Sequence, residues 1–119
     1  MNDRSGGATP SRTATVFIGK WTLDILNILK ENPQRHGELL NRLGGISQRM
    51  LTRNLRNLES GGLIARYVMN SKPLAVEYSL TKRGRAFLVP LRNVCGWAHR
   101  QGLELSAAEI QLVGRDPAL

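Results

Sequence analysis

"GISQRMLTRNLRNLESGGL", residues Gly45–Leu63, carries the signals of one helix with a defined start and a defined stop. Ser47 stands where an N-cap hydroxyl accepts an early backbone amide, and Gly61-Gly62 supplies a left-handed stop. Leu51, Leu55 and Leu58 fall at i, i+4 and i+7, which places three side chains on one buried stripe. Gln48, Arg49, Thr52, Arg53 and Arg56 are left for the exposed face. A solvated face needs some charge, but three arginines with one acid, Glu59, at the far end suit a polyanion better than water.

The flanking sequence supplies the context. "HGELLNRLGG" predicts a short helix over about Glu38–Leu43, ended by Gly44-Gly45. A short helix, a glycine turn and a capped second helix make a helix-turn-helix. Downstream, "LIARYVM" (Leu63–Met69) and "AVEYSLT" (Ala75–Thr81) alternate and are rich in β-branched and aromatic residues, with the turn-like "NSKP" between them. That is a β-hairpin, and helix-turn-helix plus hairpin is a winged helix. Upstream, "KWTLDILNILKEN" (Lys20–Asn32) sets Trp21, Ile25, Ile28 and Leu29 on one stripe before Pro33 stops the helix. A long helix from Lys82 to about Gln101 is capped by Thr81, buries Phe87, Leu88, Leu91, Val94, Cys95 and Ala98, and loses one backbone donor at Pro90. The Ser106/Glu109 pair in "SAAEIQLV" reads as a capping box and predicts a short terminal helix.

The fold class is therefore α+β, mainly α: a winged helix-turn-helix with extra N- and C-terminal helices. Residues 1–11 read as a disordered tail, 12–105 as the winged helix-turn-helix domain, and 106–119 as a short helix and tail.

Composition narrows the function. The 119 residues suffice for one modest core, and no stretch is apolar enough or long enough to cross a bilayer. Met1–Ala14 lacks the apolar region of a secretion signal, so the expected compartment is the cytoplasm. The lone Cys95 excludes an internal disulfide and a cysteine zinc site; it reads as a small hydrophobe on a buried stripe. Seventeen Lys and Arg against nine Asp and Glu give a net charge of +8. Between Gly45 and Arg85 eight bases meet two acids, so +6 of that charge sits in about a third of the chain. This asymmetry fits nucleic acid before membrane.

The exposed face of the second helix then acquires a purpose. A helix fits the DNA major groove, where arginine pairs with guanine, glutamine with adenine, and a threonine methyl meets thymine. Gln48, Arg49, Thr52 and Arg53 are placed at base edges and Arg56 nearer a phosphate, with the cap residue Ser47 counted among the DNA-binding residues. Lys72 at the wing tip, Lys20 and Arg35 are the further phosphate contacts. Phe17, Val94, Trp97 and Ala98 are assigned to a dimer contact, because one small winged helix cannot cover that much apolar surface. Phe17, Trp21 and Trp97 read first as core and second as the lining of a small-molecule pocket between terminal helices. His36 and His99 stand apart from any acid–base constellation; His36 is expected to pack or cap, and no catalytic group, metal site or cofactor is expected.

Three strings, "IGKWTLDIL" from Ile18, "RHGELLNRLGGISQRMLTRNLRNLESGGLIAR" from Arg35 and "VEYSLTKRGRAFLVPLRNVCGW" from Val76, closely resemble the HxlR family of winged helix-turn-helix regulators. The resemblance covers roughly residues 17–100. It implies a bacterial or archaeal transcription factor, a homodimer with its contact in the terminal helices, and in many members a response to electrophiles, oxidants or metabolites. The chain departs from the family pattern at several points. Ala8-Thr9-Pro10 stand where many relatives carry a sensing cysteine, Ile18 replaces a glycine, His36 a phenylalanine, and Ala75 a basic wing residue. Thiol sensing of the family type is accordingly not expected.

The function expected is a homodimeric, sequence-specific DNA-binding regulator, a repressor reading a near-palindromic operator, with a small-molecule effector as a possible partner. A weakly specific architectural DNA binder and a winged-helix protein-interaction module are the alternatives.

Overall fold

The computed structural model describes residues 13–70, 75–103 and 107–113. Its elements run β1 (Thr13–Gly19), α1 (Thr22–Glu31), β2 (Gln34–Arg35), α2 (His36–Leu43), α3 (Gln48–Ser60), β3 (Ile64–Met69), β4 (Ala75–Leu80), α4 (Lys82–Arg100) and β5 (Ala107–Val113). The winged helix-turn-helix is as expected, with α2 and α3 as its two helices and β3–β4 as its wing.

Helices α3 and α4 begin where a side-chain hydroxyl caps them. Ser47 Oγ accepts the Met50 amide at 3.1 Å and so caps α3. Thr81 Oγ1 accepts the Gly84 amide at 3.0 Å and donates to the Gly62 carbonyl at 2.6 Å, joining the start of α4 to the end of α3. In the Gly-Lys-Trp-Thr stretch, Thr22 Oγ1 accepts the Gly19 amide at 2.9 Å, which turns the chain from β1 into α1. Thr22 is fully buried, so this bond is made out of water.

Leu51, Leu55 and Leu58 meet Ile25, Leu26 and Leu29 of α1, Leu39 of α2, Leu88 and Leu91 of α4, and Val16 and Ile18 of β1 in one cluster. Ile64 at the root of the wing joins the same core, while Arg66, Tyr67 and Val68 beyond it are exposed. Strand β4 lies between β2 and β3, with Arg35 opposite Glu77 and Tyr67 opposite Glu77 on its other side. The two-residue strand β2 was not anticipated: "QR" is too short to show an alternation.

One expectation at the C-terminal end needs correction. Residues 107–113, expected as a helix, form a strand antiparallel to β1, with Val16 opposite Ile110 and Gly19 opposite Ala107. The Ser106/Glu109 signal is local, whereas β1 offers a long-range ladder partner that a local pattern does not register. Ser106 itself, the tail over 1–12, and the wing tip 71–74 with Lys72 lie outside the described residues.

Candidate nucleic-acid interface

Helix α3 is two-sided. Leu51, Leu55 and Leu58 are at most 1% exposed, whereas Gln48, Arg49, Arg53 and Arg56 all face solvent. None of the three arginines makes a hydrogen bond or ion pair among the described residues, and Arg56 does not pair with Glu59 there. A guanidinium that the fold leaves uncommitted retains its five donors for a ligand. Ser47 is also exposed, but its oxygen is occupied by the cap.

Thr52 is placed differently from the rest. It is half-buried, and its Oγ1 lies 3.2 Å from Nε2 of His36, the first residue of α2. The pair ties the two helices of the motif together across the turn. His36 thus takes the structural role expected of it, and the Thr52 hydroxyl is engaged within the fold rather than free for a base.

The other basic residues divide. Arg35 starts α2, its amide donating to Glu38 Oε1 at 2.7 Å, and its side chain is exposed beside the wing. Lys20 is exposed in the turn before α1, its Nζ 5.2 Å from the centre of the Trp21 ring. Arg83 belongs to the fold: its Nη1 donates to the Gly61 carbonyl at 3.3 Å, so it caps the end of α3 and does not add to a free basic surface. Arg92 is held by Asn27 Oδ1 through Nη2 at 2.6 Å and Nε at 3.0 Å. Sequence reasoning passed over two exposed wing residues, Arg66 and Tyr67; their place on a β3 that leaves the core after Ile64 was the available signal.

Two assignments outside α3 also change. Ala98 is only 7% exposed and packs within its own chain, so it is not a contact surface; Phe17, Val94 and Trp97 are each at least half exposed. The aromatic trio does not converge. Phe17 and Trp21 line a cleft of about 430 Å³ with Met50, Arg53 and Asn57, between α3 and the stretch from β1 to Trp21, and Trp97 on α4 is not among its described lining residues. The pocket is therefore not between terminal helices.

Asn57, in the lining of this cleft, clamps β1 to α3. Its Oδ1 accepts the Phe17 amide at 2.9 Å and its Nδ2 donates to the Phe17 carbonyl at 2.7 Å. Cys95 is half-buried against the core, and burial together with nearby Asp24 pushes its thiol above the ordinary range. Among the described residues no group of His, Cys, Asp and Glu could hold a metal ion, and no helix is long and apolar enough to cross a membrane.

A capped helix with an uncommitted basic face, braced by a shorter helix and flanked by a wing, defines a winged helix-turn-helix transcriptional regulator. Comparison with known proteins agrees. The model of the HxlR-like helix-turn-helix family matches residues 16–105, and the chain belongs to that family. It is similar to the HTH-type transcriptional regulator YdzF of Bacillus subtilis, at 38% identity over 83% of this chain and 92% of the relative. An HTH-type transcriptional regulator of Methanothermobacter thermautotrophicus is 44% identical over 71% of this chain, a match spanning 64% of that relative's length. Among solved structures, a transcriptional regulator of the MarR family from Enterococcus faecalis superposes with a TM-score of 0.62 at 40% identity, covering 71% of this chain and 76% of the other.

Proposed function

We propose that the protein is a homodimeric, sequence-specific DNA-binding repressor acting in the cytoplasm on a near-palindromic operator. The observation that carries this reading is the uncommitted face of α3: Gln48, Arg49, Arg53 and Arg56 are exposed while the same helix is fixed from behind by three leucines. Gln48, Arg49 and Arg53, within the first two turns, read base edges, with Ser47 at the groove and the Thr52 methyl as an apolar contact. Arg56, Arg35, Lys20 and the wing-tip Lys72 hold phosphates, which fix the register without reading sequence. Phe17, Val94 and Trp97 form the dimer contact.

Selection of bound duplexes from a random pool tests this directly. The expected result is a site with two related half-sites about one helical turn, or a small multiple of it, apart. Enrichment of no sequence, with affinity set by salt alone, would replace this reading with an architectural DNA binder.

A further inference from the structure

We infer that the outer edge of β5 is an interface for a second copy of this chain, the two β5 strands pairing antiparallel about a two-fold axis so that both β1–β5 ribbons join in one continuous sheet. The geometry follows from Asn57. In an antiparallel pair, opposite residues alternate between those that exchange hydrogen bonds and those whose amide and carbonyl turn outward. The Phe17 amide and carbonyl are both taken by the Asn57 side chain, at 2.9 and 2.7 Å, so they point away from β5. The Gly19 amide, bonded to Thr22 Oγ1 at 2.9 Å, points the same way. Phe17 stands opposite Glu109 and Gly19 opposite Ala107. Glu109 and Ala107 therefore turn their own backbone groups away from β1, and the alternation adds Gln111 and Val113 to the same outer row. Among the described residues β5 has β1 as its one ladder partner, so that row is open.

The edge is suited to its own copy. Ala107–Val113 contains no proline, lysine or arginine, the residues that ordinarily blunt an exposed edge, and its one charge is Glu109. A two-fold that keeps the whole strand in the ladder places Ile110 opposite Ile110, Glu109 opposite Gln111 and Ala107 opposite Val113. The outer row of one copy then meets the outer row of the other, each residue bringing one donor and one acceptor. The acid meets a neutral amide residue and not a second acid, which would repel it. Association also stops at two copies. The far edge of β1 is closed at Phe17 and Gly19 by the side chains of Asn57 and Thr22, so the sheet does not grow from that side. The contact is therefore isologous and closed, not the start of a fibre. This inference rests on the homodimer reading and adds a strand edge to the surface of Phe17, Val94 and Trp97.

Sedimentation of the full chain over a concentration series tests this with the parent, Gln111→Pro, Gln111→Glu and Gln111→Lys. Proline at 111 removes an outward amide and is compatible with an edge strand, so the circular dichroism should stay that of the parent. The dimer should weaken about tenfold, because symmetry removes the bond twice. The two charged variants read the register. With Glu109 opposite, Gln111→Glu should weaken the dimer about fivefold and Gln111→Lys should strengthen it by about the same factor, two equivalent pairs changing at once. Net charge alone predicts the reverse order, since a chain of +8 gains self-repulsion with lysine and loses it with glutamate. A dimer that survives Gln111→Pro with its folding intact would overturn the edge contact and leave the homodimer reading in place. If the proline variant unfolds, the charged pair decides, and any order other than the register's overturns the contact in the same way. A monomeric parent would remove the homodimer reading and this interface together.

Discussion

At the scale of single residues, Arg53 and Asn57 stand one helical turn apart on α3 and do opposite things. Arg53 makes no hydrogen bond or ion pair among the described residues, so its loss should be felt in DNA affinity and hardly in stability. Arg53→Ala is expected to cost about 1–3 kcal/mol on the selected duplex and to relax preference at one position of each half-site. Competition binding on singly substituted duplexes measures this, and an equal loss on random duplexes would assign Arg53 to a phosphate. Asn57 makes two hydrogen bonds to the Phe17 backbone, so Asn57→Ala should cost about 1–3 kcal/mol in urea unfolding. Cys95 gives a third expectation. Its thiol titrates above the ordinary range because burial, then Asp24, disfavour the thiolate. Arg92, which could have drawn it down, is bonded to Asn27 instead. The reactive thiolate is therefore scarce at pH 7–8, and alkylation by iodoacetamide should be slower in the folded protein than in urea. DNA binding by Cys95→Ser should respond to oxidant no differently from the parent.

At the scale of elements, α3 owes its position to both of its ends. Ser47 caps the first turn; Ser47→Ala should cost about 1 kcal/mol and loosen the turn that carries Gln48 and Arg49. The far end closes with the Leu63 amide on the Leu58 carbonyl at 3.0 Å and the Gly62 amide on Glu59 at 2.9 Å. That closure needs Gly62 at φ +75°, where a side chain is strained. Gly62→Ala should lose about 1–2 kcal/mol in thermal or urea unfolding, and a neutral result would mean the closure is not made. Gly84 holds the other side of this corner. A Cβ there would run into the Leu63 carbonyl and the Leu80 side chain, so α4 can approach the wing only through a glycine. Gly84→Ala is expected to destabilise more than Gly62→Ala, since backbone rather than a flexible side chain must move.

At the scale of the whole molecule, several large apolar residues outside α3 are exposed. Val94 and Trp97 on α4 and Phe17 on β1 are half exposed or more. Sedimentation at micromolar concentration is expected to give a dimer, and Trp97→Glu should shift it toward monomer by burying a charge in an apolar contact. A monomer in the parent protein would remove the palindromic operator together with the interface.

The winged helix-turn-helix was legible in the sequence because its signals are local. Ser47, the leucine stripe and Gly61-Gly62 each act within a turn or two of themselves, and alternation over Leu63–Met69 and Ala75–Thr81 marks the wing. The excess of arginine on α3 was legible for the same reason, since a periodic core stripe dictates which side chains point away from it. Tertiary structure decided what depends on partners distant along the chain. It paired 107–113 with β1, inserted β2 beside β4, and turned Ala98 inward. It also divided the basic residues, engaging Arg83 with Gly61 and Arg92 with Asn27 while leaving Arg49, Arg53 and Arg56 to solvent. Charge can be counted along a sequence, but whether a guanidinium is free depends on which carbonyl or amide the fold brings within reach, here from residues 22 and 65 positions away.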